Sequence, residues 1–127
     1  MKQSLGKKLV KAFPNLYKDL GYFEICDGWF NIIWDLSENL EKCIVEFKQG
    51  CLGENDVIPY ATQIKEKFGG LRFYAHNTDT LIDGMIWFVE HNSFNVCELC
   101  GEQGVLRDNH NWYKTLCEEC YKKWKKK

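Results

Sequence analysis

The sequence lacks the features of membrane and secreted proteins. No apolar run approaches the ~20 residues of a membrane-spanning helix, and the first residues, MKQSLGKKLVKAF, lack the continuous apolar stretch of a signal peptide. We therefore expect a cytoplasmic protein that has no membrane association. Its seven cysteines, an odd number in a chain without a signal peptide, favour a metal site or free thiols over a disulfide framework.

Signatures of catalysis and of DNA reading are also missing. The chain has no P-loop, no paired carboxylates and no nucleophile motif, and its three histidines are scattered. It also lacks the DNA-recognition helix of a Cys2His2 zinc finger. A non-catalytic role is therefore the main expectation, with a nuclease or nucleotide hydrolase as the alternative. The formal net charge is only −1, although lysines cluster at both ends. The composition therefore carries no overall nucleic-acid signature.

Apolar periodicity predicts two main helices. One stripe of apolar residues recurs at helical spacing over residues 28–48, and a second covers residues 80–91 with Thr78 or Thr80 as its cap. Cys43 lies on the first stripe, which favours a buried thiol over a reactive one. Cys26 and Cys51 have no recognisable ligand or catalytic spacing.

The strongest chemical signal is a pair of CxxC motifs, CELC at residues 97–100 and CEEC at residues 117–120. Two such pairs at this spacing supply four thiolates that can close a tetrahedral zinc shell, and four protein ligands leave no open position for catalysis. Redox-active dithiols are the alternative. We predict one structural Zn²⁺ ion with four ligands: Cys97, Cys100, Cys117 and Cys120.

The segment between the two motifs predicts a β-hairpin around the turn-prone DNHN, and the second motif opens a terminal helix. A knuckle, a hairpin and a helix in that order resemble a treble-clef zinc finger. We therefore expect an α+β fold in two parts. Residues 1–94 form a core domain in which a small antiparallel sheet packs with the two main helices, and residues 95–127 form a four-cysteine zinc-finger module with a basic tail.

The stretch KEKFGGLRFY at residues 65–74 predicts a second β-hairpin. Its double glycine, Gly69 and Gly70, suits a two-residue turn because glycine tolerates the positive φ that such turns require. The following segment LRFYA is strand-like and needs a partner strand. The alternative is a helix over residues 60–68 that ends at a left-handed Gly69.

A turn at the two glycines fixes the pairing of the predicted strands, residues 63–68 and 71–76, and places Lys67 opposite Arg72. Alternate residues share a face, so one face is apolar except for Glu66. The other face, called the cationic face below, collects charged and aromatic side chains beside Gln63. These side chains are the candidate ligand-binding residues: Lys65, Lys67, Arg72, Tyr74 and His76.

Like charges that lie opposite each other are unfavourable unless an anion lies between them. Acids of the first main helix, such as Asp35, Glu38 or Glu41, can supply internal ion pairs if that helix lies over the sheet. A bound ligand can supply the anion instead. The cations would then take a phosphate group, and Tyr74 or a nearby tryptophan would stack on a base.

Three segments in order, GWFNIIWDL, QIKEKFGGLRFY and CELCGEQGVLRDNHNWYKTLCEEC, resemble a group of small phage- and prophage-borne proteins of uncharacterised function. These proteins carry a KEKFGGLRFY-like signature that is followed by a CxxC zinc motif. The resemblance covers residues 28–120. It implies a viral accessory protein in the host cytoplasm, and small phage proteins of this sort often block host defence by binding a host protein or by sequestering a nucleotide messenger.

The main functional hypothesis is a non-catalytic binding protein that holds an anionic nucleotide-like ligand, or an acidic host protein surface, on the cationic face. Zinc would brace the fold. The alternative is nucleic-acid binding through the finger and the lysine-rich tail YKKWKKK. Exposed aromatic surface is also compatible with a homo-oligomer.

Overall fold

The structure is a computed structural model that describes residues 1–50 and 58–125, with the backbone only for residues 47–50. Within these residues, four helices and two small antiparallel sheets confirm the predicted α+β class. In chain order the elements are α1 (Gln3–Ala12), α2 (Phe30–Gly50), β1 (Tyr60–Lys67), β2 (Gly70–His76), α3 (Thr80–Asn92), β3 (Val105–Asn109), β4 (Trp112–Leu116) and α4 (Glu118–Lys125). Short 3₁₀ turns at Asp27–Trp29 and Ser93–Asn95 precede α2 and follow α3.

The core lies between the two main helices and the inner face of the first hairpin. Five residues of the stripe predicted for α2 are buried, as are the inner face of the hairpin and the core side of α3. The residues concerned are Trp29, Ile33, Leu36, Leu40 and Ile44 with Ile64, Leu71, Phe73, Ile82 and Ile86. In the described part of the chain, no helix has the length and apolar character needed to cross a bilayer.

The cap of α3 differs from the prediction. Asp79, rather than Thr78 or Thr80, occupies the N-cap, and its Oδ1 accepts a hydrogen bond from the Ile82 amide at 2.8 Å. A carboxylate at this position also interacts favourably with the positive end of the helix dipole.

The first hairpin forms as predicted, but its predicted turn is wrong. The two turn residues are Phe68 and Gly69, with φ of 53° and 83°, and Gly70 already belongs to β2. Lys67 therefore pairs with Gly70 and Lys65 pairs with Arg72. Positive φ at both turn positions is the requirement of a type I′ turn.

The physical reason for this register is the packing at Gly70. A Cβ at Gly70 would lie 2.3 Å from Cζ of Phe94, so the ring of Phe94 fills the space that a side chain would need. Glycine at position 70 serves this close approach, and Gly69 alone supplies the glycine of the turn. The carboxylate of Glu66 accepts a hydrogen bond from the Gly69 amide at 2.7 Å and holds the turn in place.

Hydrogen bonds join the two predicted parts of the chain. The Trp29 indole N–H donates to the Val96 carbonyl at 2.8 Å, and the Gly28 amide donates to the Glu98 carbonyl at 2.8 Å. The Thr115 hydroxyl donates to the Gly69 carbonyl at 2.6 Å. The boundary between residues 94 and 95 stays a prediction, and these contacts fix the C-terminal segment against the 3₁₀ turn before α2 and against the turn of the first hairpin.

Candidate metal centre and cationic face

The C-terminal segment has the order of a treble clef: a knuckle, the β3–β4 hairpin and the helix α4. In the knuckle, the Gly101 amide donates to the Cys97 carbonyl at 3.0 Å, which closes a tight turn. Gly101 has φ of 85°, a conformation that residues with a side chain rarely adopt. Cys117 directly precedes α4 and Cys120 lies in its first turn.

The structure brings the four predicted ligands together. The Sγ atoms of Cys97, Cys100, Cys117 and Cys120 all lie within 4.8 Å of one another. Cys100 and Cys117 approach to 3.6 Å between sulfurs, which is far longer than the roughly 2.05 Å of a disulfide bond. The cluster can therefore hold a metal ion.

The thiols of Cys97 and Cys120 differ in pKa. Burial alone would raise the pKa of Cys97, but hydrogen bonds from the backbone amides of Cys117, Cys100 and Leu99 lower it to about 7. Burial and the three neighbouring cysteines raise the pKa of Cys120. Four thiolates this close repel one another, so a bound cation is needed before all four can ionise near neutral pH.

A buried carboxylate lies between the first two ligands. Glu98 is 1% exposed, and its carboxylate accepts a hydrogen bond from the Thr115 amide at 2.7 Å and lies 3.7 Å from Nζ of Lys114. Burial raises the pKa of Glu98, while the Thr115 amide and the Lys114 charge oppose that shift. These contacts tie the knuckle to β4 and orient both elements of the centre.

The cationic face forms on the solvent side of the first hairpin, with the composition that was predicted. Lys65 lies directly opposite Arg72 and Gln63 lies opposite Tyr74, so the cations and the tyrosine share a face. Moving the turn by one residue moves each cross-strand partner by two positions, which changes the pairs but not the faces. Nζ of Lys65 lies 5.8 Å from the centre of the Tyr74 ring.

The predicted internal ion pairs do not form in the described part of the chain. Its ion pairs are Lys2–Asp27, Arg107–Glu118 and Lys114–Glu98, and none involves the cationic face. Among the helix acids, Glu38 accepts a hydrogen bond from the Trp34 indole N–H, and Glu41 accepts from the amides of Asn15 and Leu16. Glu38 is therefore held by a side chain of its own helix, and Glu41 is held by the loop after α1.

One carboxylate does lie beside the cationic face. The backbone of Glu24 bridges to β1, with its amide donating to the Ile64 carbonyl at 2.9 Å. Its side chain accepts hydrogen bonds from the Gln63 amide at 2.9 Å and from the Tyr22 hydroxyl at 3.1 Å. Glu24 therefore reduces the positive charge of one edge but does not pair with the lysines or with Arg72.

Sequence reasoning missed two residues that extend the cationic face. Tyr60 pairs with His76 across the strands, and their rings stack with centroids 5.6 Å apart. Nζ of Lys18 lies 4.6 Å from the centre of the Tyr60 ring. A bulge between Ala61 and Gln63 brings Tyr60 to this face, whereas strict alternation from Lys65 would place Ala61 there. The sequence carries no clear signal for that bulge.

The remaining cysteines and histidines show no comparable grouping among the described residues. Burial raises the pKa of Cys26 and of Cys43, both half-buried, which keeps them as neutral thiols; Cys51 lies outside the described residues. His76 stacks on Tyr60, and the ring centroids of His91 and Trp87 lie 4.1 Å apart.

Comparison with protein-family models, with curated proteins and with solved structures gives no match to this chain.

Proposed function

We propose that this chain is a non-catalytic binding protein that holds an anionic group on its cationic face, with one structural zinc ion at the four cysteines. The observation that supports the binding role most directly is the opposed pair of Lys65 and Arg72, which has no carboxylate partner in the described residues. Two like charges across a hairpin are unfavourable in the free protein. A bound anion relieves that repulsion and is therefore favoured by it.

The side chains around this pair favour a nucleotide-like ligand or an acidic protein surface. Arg72 and the lysines can bind phosphate or carboxylate oxygens through charge-assisted hydrogen bonds. The exposed ring of Tyr74 and the stacked rings of Tyr60 and His76 can lie against a base or an aliphatic side chain. The resemblance to phage and prophage proteins supports a host protein or a nucleotide messenger as the partner, and a role in the host cytoplasm against host defence.

The donor set supports zinc as the metal. Four thiolates at 2.3 Å in a tetrahedron would place the sulfurs about 3.8 Å apart, and the Cys100–Cys117 separation of 3.6 Å is close to that value. Because all four positions are occupied by protein ligands, the ion has no open site for catalysis. Its role is to hold the knuckle, β4 and α4 together.

Calorimetry with matched charge variants tests the binding role. We would titrate the zinc-loaded protein with a panel of nucleotides that includes cyclic dinucleotides and cyclic ADP-ribose isomers, and carry out pull-downs from host lysate. Lys65→Gln/Arg72→Gln should abolish the interaction because it removes the opposed cations. Lys8→Gln/Lys11→Gln removes the same charge from exposed positions of α1 and should leave binding unchanged.

No binding in either assay, or equal loss of binding in both double variants, would sink the proposal. Equal loss would show that net charge rather than the cationic face decides the interaction. A nucleotide that binds without any captured protein favours the ligand form of the proposal. The reverse result favours an acidic protein surface.

Nucleic-acid binding through the tail is the second candidate, because Lys122, Lys123 and Lys125 are exposed on α4. Binding of this kind should weaken steeply with salt. It should also be lost when residues 122–127 are deleted and persist in Lys65→Gln/Arg72→Gln. Retention of DNA and RNA binding after the deletion excludes the tail.

A further inference from the structure

The outer side of α3 carries large apolar residues that nothing in the described part of the chain covers. Ile82 and Ile86 turn into the core, whereas Leu81, Trp87 and Phe88 are 65%, 58% and 67% exposed. Leu81 and Phe88 border a shallow cavity of about 500 Å³ between α2 and α3. The exposed residues Leu81, Gly84, Trp87 and Phe88, together with Met85, which is half-buried against the core, are the outer residues of α3 and are called the α3 surface below.

Gly84, in the middle of this helix, has no structural reason within the chain. Glycine in a helix interior is less favourable than alanine, and a Cβ built at Gly84 would meet no atom within 4 Å. The position is therefore open, and the bare backbone forms a notch between Leu81 and Phe88. A notch of this kind suits the close approach of a second helix.

We propose that the occupant is a second copy of this chain, which packs its α3 antiparallel across a two-fold axis. Four of the outer residues form a stripe that is symmetric about the point between Gly84 and Met85: the operation that exchanges these two positions also exchanges Leu81 with Phe88. Trp87 has no outer counterpart, because the same operation exchanges it with the buried Ile82, so it lies at the edge of the stripe. An antiparallel pair therefore places Met85 over the notch at Gly84 of the partner subunit, and Leu81 against the partner's Phe88. Each contact occurs twice, as an isologous interface requires.

Helix polarity and area both agree with this arrangement. An antiparallel pair of α3 helices sets the positive end of each helix dipole beside the negative end of the partner's. Exposures of 58% and 67% for Trp87 and Phe88 correspond to roughly 200–300 Å² per copy at 150–250 Å² for each aromatic side chain. Two copies then supply about a third of a standard interface of 1,200–2,000 Å², before Leu81, Met85 and the adjoining part of α2 are added.

Sedimentation velocity of the full-length, zinc-loaded protein over a wide concentration series tests the proposal. We expect the mass to rise from the 15.0 kDa of one chain toward twice that value. Gly84→Gln should weaken the dimer by roughly tenfold or more, as loss of a central contact does. It should not lower Tm at concentrations where the wild type is monomeric, because the site is open within one chain. Gly21→Gln, at another glycine with no atom within 4 Å of its Cβ, and Trp112→Glu, at a side chain that is 66% exposed outside the α3 surface, should associate as the wild type does.

A mixture of two charged variants tests the register itself. Leu81→Lys and Phe88→Glu should each be monomeric alone, because each places an unpaired charge against an apolar side chain twice in the homodimer. When mixed, they should form a heterodimer in which the introduced lysine and glutamate make one ion pair and one Leu81–Phe88 contact is unaltered. A wild type that stays at 15.0 kDa, a Gly84→Gln variant that associates normally, or a mixture that stays monomeric would each overturn the proposal.

Discussion

Replacing Gly70 with alanine tests the register of the first hairpin, because the added methyl group has no room. It would lie 2.3 Å from Cζ of Phe94 and 2.9 Å from both Cε atoms, whereas carbon atoms in contact are about 3.5–4.0 Å apart. Strand and ring must therefore separate by roughly 1 Å. The ring cannot retreat freely, since its neighbour Ser93 accepts a hydrogen bond from the Leu71 amide at 2.9 Å.

Overpacking of this kind costs about 1–3 kcal/mol of unfolding free energy, which for a chain of this length corresponds to a fall in Tm of roughly 3–15 °C. Urea and thermal unfolding followed by circular dichroism would measure both quantities. Gly21→Ala is the matched control, because its methyl group meets no atom within 4 Å, and we expect it to change stability by less than about 0.5 kcal/mol.

A double-mutant cycle with Phe94→Leu separates steric overlap from backbone strain. If the ring is the obstacle, the cost of Gly70→Ala should fall by about 1 kcal/mol or more in the Phe94→Leu background. If Gly70 instead occupied a turn position with positive φ, the alanine would be strained whatever residue stands at position 94. Additive costs, or a Gly70→Ala variant as stable as Gly21→Ala, would therefore refute the observed register.

Phe68 has a φ of 53° in the turn, a conformation that asparagine adopts more readily than phenylalanine. Phe68→Asn should therefore raise the free energy of unfolding, measured in urea, by about 0.5–1 kcal/mol. A loss of stability would show that the contact of the Phe68 ring with Tyr113 outweighs the strain. Thr115→Val removes the hydroxyl that donates to the Gly69 carbonyl. Leaving that carbonyl without its partner should lower the free energy of unfolding by about 1–3 kcal/mol. A loss below about 0.5 kcal/mol would contradict the role of this bond. Chelation, or Cys117→Ser, should remove the metal and increase amide hydrogen exchange in β4 while the middle of α2 stays protected. Native mass spectrometry would report the metal, and unchanged exchange in β4 after its loss would contradict a structural role.

The features that could be predicted from the sequence are those that depend on periodicity or on fixed spacing. The apolar stripe of α2 is buried because residues three and four apart share a helix face, and the four cysteines meet because two CxxC turns flank a short hairpin. The two faces of the first hairpin were also predictable despite the wrong turn. An error of one residue in the turn moves cross-strand partners by an even number of positions, so Lys65 and Arg72 stay on the same face.

The features that could not be predicted depend on contacts between distant segments. Local propensity favours the two adjacent glycines as the turn, and only the ring of Phe94, which is 24 residues further along the chain, shows that Gly70 is needed for packing. The bulge that brings Tyr60 opposite His76 is likewise invisible to an alternating pattern. One of the two alternatives for the cationic face placed acids of α2 over the sheet, but Glu41 binds the backbone of the loop after α1, a partner that helical periodicity does not reveal.

The metal centre and the cationic face are connected through two residues. Glu98 lies between the ligands Cys97 and Cys100, its backbone amide donates to the Thr115 carbonyl at 2.9 Å, and its carboxylate accepts from the Thr115 amide at 2.7 Å. Thr115 in turn holds the Gly69 carbonyl in the turn next to Lys67. Because β1 and β2 alone make only a two-stranded hairpin, which is marginally stable by itself, fixing its turn is an effective way to hold the two strands in register. Through these contacts the four-cysteine cluster positions the face where Lys65 and Arg72 oppose each other, which is how a bound metal would contribute to the proposed binding.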